Sequence, residues 1–301
     1  MPGPVALRPF ELGDLDALVT LLERACQFER ADRVAHELLV EPGLAGAPRT
    51  MVAQAGDRLA GVAATCARWL RVIAVEPALR GQGIGSALLD DSEQAIARDG
   101  HDAVHVLGEP GNYLAPGIDQ RDGESIAWLE RRGYARRGLR HNLLIDVQKN
   151  PRVGRRQAEE LARARQGYVI RRARPEDAGS LDSWIRGEFS PGWAFEVNRA
   201  LGGQRPGVHV AAAGGDDGEI VAFAAHDGNN RGLGWFGPAG TRADHRGEGL
   251  GKALLAACLA DVGEDGHPFC EIAWIGPREF YQRAAGIAGE RAFVALRKEL
   301  S

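Results

Sequence analysis

Two short glycine-rich segments contain the residues of this chain that are best suited to chemistry. Each begins with an arginine, carries glycine at alternate positions and leads into a helical pattern. Glycine lets the main chain approach an anion, and the first N–H groups of a helix lack partners and attract negative charge. The segments therefore predict two phosphate-type anion sites. Their residues are Arg80, Gly81, Gln82, Gly83, Ile84, Gly85 and Ser86 in the first, and Arg246, Gly247, Glu248, Gly249, Leu250, Gly251 and Lys252 in the second.

Neither segment fits the two best-known phosphate-binding motifs. A Walker loop needs Gly-Lys-Ser/Thr at a spacing that is absent here. A dinucleotide fingerprint directly follows the first strand of its unit, whereas these segments follow the third or fourth predicted strand.

The two segments belong to an internal repeat. Arg80 and Arg246 are 166 residues apart, and a second matching pair, Arg8 and Arg171, is 163 apart near the start of each copy. Two similar offsets from opposite ends of a unit indicate a duplicated domain. We therefore predict an N-terminal domain at 1–149, a helical linker at 150–167 and a C-terminal domain at 168–301.

Each copy predicts a mixed α/β domain with a mixed sheet. In the first copy a helix at 14–26 precedes three strands, a helix at 84–98 follows the glycine loop, and a strand, a helix and a final strand at 141–147 follow. The second copy repeats this order, with a helix at 250–262, a helix at 279–285 and a last strand at 291–296.

The pattern Arg-x-x-Gly-x-Gly on a strand–loop–helix resembles the acyl-CoA pyrophosphate motif of the GNAT superfamily of N-acetyltransferases, so the chain resembles a tandem GNAT protein. The resemblance implies that acetyl-CoA is the acyl donor and that both loops hold its pyrophosphate. It also implies that the pantetheine arm pairs with the strand before each loop, where that strand diverges from its neighbour. The residues of these strands are Ile73, Ala74 and Val75, and Ala239, Gly240 and Thr241.

Among tandem GNAT proteins, the stretches 110–117 and 276–281 are most similar to the glucosaminide N-acetyltransferases. Mycothiol synthase and bleomycin N-acetyltransferase are more distant tandem relatives.

The resemblance also points to catalytic residues. GNAT enzymes often carry a tyrosine on the final helix that returns a proton to the CoA thiolate. Tyr281 holds that place in the second copy and Leu129 holds it in the first, so the second copy is expected to be catalytic and the first to bind acyl-CoA or to be partly degenerate. In the first copy, Tyr113 of the long loop is an alternative acid. Glu271, on a strand beside the slot, is the candidate base.

The base is less sharply defined than the acid. His226 and Glu196 are alternatives to Glu271, and an amine with a lowered pKa needs no base. The acceptor is expected to be a small-molecule primary amine, such as an amino sugar or an antibiotic. Two segments are expected to line its site: the Gly/Pro-rich loop 108–124, as a lid, and the aromatic-rich stretch 184–201. A peptide α-amine is a further alternative.

Composition narrows the function classes. The chain has 301 residues, 37 basic and 41 acidic, for a net charge of −4, which does not favour a nucleic-acid partner. Neither a membrane span nor a signal peptide is evident, so we expect a cytoplasmic protein that is a monomer or homodimer. Four cysteines without paired spacing predict neither a disulfide framework nor a metal site. The alternative to an enzyme is an acyl-CoA-binding regulatory or scaffold protein without turnover.

Overall fold

The computed structural model describes residues 5–203 and 205–300, which form two compact units. Unit 1 comprises residues 5–140 and 292–300, and unit 2 comprises residues 141–291. Each unit is a mixed α/β domain, as the sequence predicts.

The elements follow the predicted order closely. The strands of the first half of the sequence are β1 (Val5–Pro9), β2 (Arg49–Ala55), β3 (Arg58–Cys66), β4 (Trp69–Val75), β5 (Ala103–Val106), β6 (Ile118–Asp119) and β7 (Ala135–Asp146). The helices of that half are α1 (Leu15–Ala25), α2 (Ala35–Leu39), α3 (Ile84–Arg98) and α4 (Gly123–Glu130).

The second half repeats this plan. Its strands are β8 (Tyr168–Arg172), β9 (Val208–Ala213), β10 (Glu219–His226), β11 (Trp235–Thr241), β12 (Phe269–Ile272) and β13 (Gly289–Glu299). Its helices are α5 (Arg155–Arg163), α6 (Ala178–Glu188), α7 (Pro191–Leu201), α8 (Leu250–Glu264) and α9 (Arg278–Ala284).

The two sheets have the same topology. In unit 1 the strand order is β1-β2-β3-β4-β5-β13, with β6 also paired to β13, and in unit 2 it is β8-β9-β10-β11-β12-β7. All neighbours are antiparallel except β4 with β5 and β11 with β12, which are parallel. One parallel pair therefore lies inside each sheet, and its two strands come before and after the helix that follows each glycine loop.

The last strand of each sheet comes from the other half of the sequence. Residues 143–146 of β7 pair with β12, and residues 296–299 of β13 pair with β5. The compact units consequently do not end at the boundaries 149 and 168 that the repeat indicates. A repeat reveals the order of elements along the chain, but it carries no information on which sheet a terminal strand completes.

Helices cover both faces of the unit 2 sheet. Val210 packs with α6 and α7, whereas Ala211, its neighbour on β9, packs with α8. Because side chains alternate across a strand, these helices lie on opposite faces. The sequence does not predict α7 as a helix, although its start is well marked: Pro191 occupies the first turn, and the Ser190 hydroxyl accepts a hydrogen bond from the Trp193 N–H at 3.1 Å.

Within the part of the chain that the structure describes, every helix is too short or too polar to cross a membrane.

Candidate active site

Both glycine loops form an open helix N-terminus. Gly83 and Gly249 precede α3 and α8 with φ of 84° and 75°, a left-handed conformation that favours glycine. The first helical bonds run from Ala87 N to Gly83 O and from Ala253 N to Gly249 O, and neither cap residue supplies a side-chain hydrogen bond. The preceding N–H groups of each helix remain available, which is the arrangement that binds an anion.

A bulge in the strand before each loop reverses the direction of its hydrogen bonds. In unit 1, Leu70 pairs with Thr65 and Val72 with Ala64, so Arg71 is the extra residue. In unit 2, Gly237 and Pro238 lie opposite a single residue, Ala225. A bulge of this kind re-aims the main chain beyond it.

Beyond each bulge, every second N–H group of β4 or β11 points toward the side from which the parallel strand, β5 or β12, diverges. The Glu76 N–H bonds to Ala60 O on β3, so by alternation Ile73 and Val75 face the opposite edge. By the same rule the bond from Arg242 N to Val221 O on β10 aims Ala239 and Thr241 at the edge beside β12.

The main-chain groups of the intervening residues, Ala74 and Gly240, face β3 and β10 instead. Only four of the six predicted slot residues therefore offer main-chain groups to the open edge.

The slot opens at the same register in both units. The parallel pairing ends at Leu70 with Val106 in unit 1 and at Phe236 with Ile272 in unit 2. One more bond follows in each, from Leu107 N to Leu70 O and from Ala273 N to Phe236 O. The strands then separate, which gives each unit the diverging slot that an extended thioester arm requires.

In unit 1 the loop and the slot line one cavity of about 830 Å³. Its lining includes Arg80, Gly83, Ile73 and Val75, with Trp128 and Arg132 from the α4 region. The Arg132 guanidinium stacks 4.1 Å from the Trp128 ring and donates a hydrogen bond to the Ser86 hydroxyl, so it places a positive charge at the helix N-terminus.

In unit 2 a different arginine lies beside the loop. Arg165, at the end of the linker, donates from Nη1 to Glu248 O at 2.8 Å, and its guanidinium lies over Gly249. Neither Arg132 nor Arg165 belongs to the repeated motif, so the repeat alone does not identify them. The linker's basic composition is the one signal in the sequence that points to Arg165.

The two units differ at the position of the predicted acid. The Tyr281 ring packs edge-on against Phe236, with centroids 6.4 Å apart, and against Phe280 at 5.1 Å. Burial raises the pKa of the Tyr281 hydroxyl to about 12, so the group carries its proton at neutral pH. Leu129 occupies the corresponding place in the core of unit 1 and has no proton to give.

Glu271, on β12, is held in a polar cluster. Its carboxylate accepts a hydrogen bond from Asn142 Nδ2 at 2.6 Å and pairs with Arg291 Nη1 at 3.1 Å. Both partners hold the side chain in place. Its role as a base stays a prediction.

His226 is unsuited to act as the base. Its Nδ1 lies 3.3 Å from Asp227 and its Nε2 lies 3.3 Å from Asp261, so two carboxylates each take one ring N–H. Burial disfavours the charged ring, but the hydrogen bonds that the ring donates to both carboxylates outweigh this effect and raise the pKa of His226 to about 9. The ring is therefore already protonated at neutral pH. Glu196, the third candidate, is buried on α7.

Asp261 is the centre of a buried polar cluster on the α8 face of unit 2. Arg155, Arg172 and Arg205 donate to its carboxylate, as does His209 at 2.7 Å. Burial opposes its charge, but these hydrogen bonds dominate and hold the pKa of Asp261 far below its usual range. His209, His226 and Asp261 have the spacing of metal ligands, but three guanidinium groups already neutralise the carboxylate, so the donor set does not favour a further cation.

The faces that would receive an acceptor also differ. In unit 2, Phe189 and Trp193 stack at 5.3 Å, and Phe189 meets Phe223 edge-on. A Cβ on Gly240 would lie 2.6 Å from Phe189 and 2.8 Å from Phe223, so this aromatic cluster lies directly against the slot strand. It belongs to the stretch 184–201 that the sequence associates with the acceptor.

In unit 1 the same face is filled. The Arg71 side chain at the bulge is fully buried, pairs with Glu109 and donates to Glu41 O at 2.8 Å. Asn112 Nδ2 bonds to Glu37 O at 3.1 Å, and residues 111–119 are buried. The loop 108–124, expected as a lid, is instead packed through most of its length into unit 1.

Comparisons with known proteins agree with this architecture. Residues 47–136 match the model of an acetyltransferase (GNAT) domain, and residues 178–286 match that of the acetyltransferase (GNAT) family. No curated protein matches the chain. The chain therefore belongs to the GNAT acetyltransferases, as two such domains in tandem, and it is an N-acetyltransferase.

Several solved structures share the fold. A glucosamine N-acetyltransferase region of a fungal multi-domain GH3 β-N-acetylglucosaminidase has a TM-score of 0.77 at 17% identity, over 99% of this chain. This chain spans 38% of the length of that fungal chain. A tandem GNAT protein from the clavulanic acid pathway has a TM-score of 0.70 at 17% identity, over 98% of both chains. A GNAT protein of Sphaerobacter thermophilus has a TM-score of 0.66 at 20% identity, over 99% of this chain and 96% of its own.

Proposed function

We propose that this protein transfers an acetyl group directly from acetyl-CoA to a primary amine of a small molecule, and that unit 2 performs the reaction. GNAT enzymes as a rule use acetyl-CoA. The open helix N-terminus at Leu250 would hold the pyrophosphate, and the main-chain groups of Ala239 and Thr241 would pair with the pantetheine arm.

The reaction needs donors for an oxyanion and an acid for a thiolate. The amine attacks the thioester carbonyl and loses a proton, so that a C–N bond forms. The oxyanion is stabilised by N–H groups at the bulged strand. The C–S bond then breaks, and the Tyr281 hydroxyl gives its proton to the leaving thiolate. The amine proton leaves to water or through Glu271.

One observation carries the assignment to unit 2. The Tyr281 ring packs against Phe236, the last residue of β11 in register with β12. A hydroxyl-bearing ring thus stands beside the point where the slot opens. Unit 1 has Leu129 at that position and the buried pair of Arg71 and Glu109 on the acceptor face, so its cavity suits binding of an acyl-CoA without transfer.

An amino sugar is the acceptor class that we favour. In the aromatic cluster of Phe189, Trp193 and Phe223, the exposed Trp193 offers a flat apolar surface that suits a ring bearing a cationic amine. The glucosamine N-acetyltransferase region with the TM-score of 0.77 supports this choice by its fold. We further propose that the protein acts in the cytoplasm as a monomer or homodimer, without a nucleic-acid or membrane partner.

The proposal is tested by thiol release from acetyl-CoA over a panel of amines. The panel contains glucosamine, chitosan oligomers, an aminoglycoside and a peptide with a free α-amine. Thiol release that depends on glucosamine or another small amine supports the proposal. Tight CoA binding without release over the whole panel would favour the alternative, a regulatory or scaffold protein, and release with the peptide alone would favour α-amine acetylation.

A further inference from the structure

A strained tryptophan stands at the mouth of the unit 2 slot. Trp274 is the second residue after β12 and has a φ of +49°, a left-handed conformation that bulky side chains rarely adopt. The bonds from Leu107 to Leu70 and from Ala273 to Phe236 are equivalent, so Gly108 is the counterpart of Trp274 in unit 1. Gly108 has a φ of +69°. The fold therefore requires a left-handed residue here, and unit 2 meets the requirement with a residue that is poorly suited to it.

The conformation of Trp274 is held by a buried side chain. Asn142 is fully buried, and its Oδ1 accepts the Trp274 N–H at 2.9 Å while its Nδ2 donates to Glu271 at 2.6 Å. Arg291 completes this cluster through Glu271. Because backbone strain persists only where the surroundings enforce it, and tends to lie at functional sites, this arrangement indicates a role for the side chain.

Two tryptophans near the slot are partly exposed. Trp274 is 41% exposed, although it follows a strand whose Cys270 and Ile272 are buried. Trp193, in the aromatic cluster against Gly240 of β11, is 38% exposed. Each of the two strands that separate to form the slot is thus accompanied by an accessible tryptophan.

We propose that the indole of Trp274 is a platform on which the ring of an amino-sugar acceptor stacks beside the thioester. This inference rests on the proposed function and specifies its acceptor. A hexosamine presents an apolar C–H face and carries an ammonium group, and both are attracted to the face of an indole. An acyclic amine offers the cation alone. Trp274 is therefore a specificity-determining residue that distinguishes ring-bearing amines from acyclic ones.

The test compares two amines with the full-length chain. Glucosamine and ethanolamine are assayed by thiol release from acetyl-CoA with the wild type, Trp274→Gly and Trp274→Phe. We expect Trp274→Gly to raise the KM for glucosamine about threefold to tenfold, while the KM for ethanolamine and for acetyl-CoA changes less than twofold. Trp274→Phe should retain most of the glucosamine preference.

The glycine variant also separates a ligand role from a structural one. Glycine is the residue that unit 1 carries at this position, so Trp274→Gly relieves strain and should leave the Tm unchanged or raise it. A lower Tm with equal changes for both amines, or a change confined to the KM for acetyl-CoA, would overturn the inference. If the wild type releases no thiol, the proposed function fails. In that case the role of Trp274 is tested by measuring glucosamine binding with saturation-transfer NMR. Equal binding by the wild type and Trp274→Gly would also overturn the inference.

Discussion

The rings of Tyr281 and Phe236 meet edge-on, with centroids 6.4 Å apart and planes at 80°. Phe236 is the last residue of β11 in register with β12, so this contact fixes the tyrosine at the apex of the slot. Burial raises the pKa of the hydroxyl to about 12. The hydroxyl therefore carries its proton at neutral pH, beside the point where β11 and β12 separate.

The two glycine loops can be tested separately. Ser86 and Lys252 occupy equivalent positions in the first turns of α3 and α8. An aspartate there is compatible with a helix N-terminus but repels a pyrophosphate. We expect Lys252→Asp to weaken acetyl-CoA binding to unit 2 about tenfold or more and to raise its KM. Ser86→Asp should remove binding to unit 1 and leave turnover unchanged.

Isothermal titration of CoA into both variants, with thiol-release kinetics, provides the measurement. Lys252→Ser is the matched control, because it gives unit 2 the residue of unit 1. Loss of turnover in Ser86→Asp, with Lys252→Asp unaffected, would assign the reaction to unit 1.

Gly240 must remain small for the aromatic cluster to form. An added Cβ would lie within 2.8 Å of both Phe189 and Phe223, so Gly240→Ala should cost about 1–3 kcal/mol in the free energy of unfolding. It should also raise the KM for the amine. Urea denaturation measures the first effect. The matched control is Ala74→Gly at the equivalent position of unit 1, which should leave the KM unchanged. An unaltered stability and KM in Gly240→Ala would show that the rings are free to move.

The buried pair of Arg71 and Glu109 makes unit 1 sensitive to the loss of one partner. Both side chains are at least 98% buried, so Glu109→Ala leaves an uncompensated guanidinium and should cost about 3–5 kcal/mol. Replacing both residues with leucine should cost less than the single change. Denaturant unfolding of the two variants checks the order, and a larger loss in the double variant would contradict it.

The buried cluster around Asp261 predicts a pH dependence of stability. The folded-state pKa of His226 is raised to about 9, above its ordinary value of 6.5. Its stabilising contribution is therefore complete below about pH 6.5 and is lost as the pH rises through 9. His209 has a lowered pKa because burial outweighs its bond to Asp261, so it does not titrate in this window. The pKa values of Asp227 and Asp261 are lowered by their hydrogen bonds, so both carboxylates stay ionised in this window.

The measurement is the free energy of unfolding at pH 6.5 and pH 9.5. Wild type should lose about 3 kcal/mol more than His226→Gln over this interval. Parallel profiles for the two proteins would show that His226 is neutral in the folded state.

Much of the fold can be predicted from the sequence, because the repeat identifies equivalent elements in the two copies. The 166-residue spacing aligns Trp69 with Trp235 and His105 with Glu271, and these pairs share the same register in the two sheets. The positions of α3 and α8 follow in the same way from the glycine loops.

What the sequence does not predict depends on partners that are distant along the chain. The exchange of β7 and β13 depends on strand pairing between the halves of the sequence. The burial of Arg71 at the bulge cannot be predicted from its neighbours, because its partner Glu109 is 38 residues away along the chain. In the sequence, Asp261 is a polar residue in an otherwise apolar helical pattern. Its significance depends on three arginines and two histidines that contact it only in the folded structure. Trp274 likewise shows nothing unusual in the sequence, because its significance lies in its backbone conformation.

We propose that unit 2 transfers acetyl groups with Tyr281 as the acid, and the most direct measurement of this role is the kcat of Tyr281→Phe for thiol release from acetyl-CoA with the preferred amine. The variant removes one oxygen and keeps the ring against Phe236. We expect the kcat to fall about a hundredfold or more while the Kd for CoA and the Tm remain unchanged. A kcat equal to that of the wild type would contradict the claim.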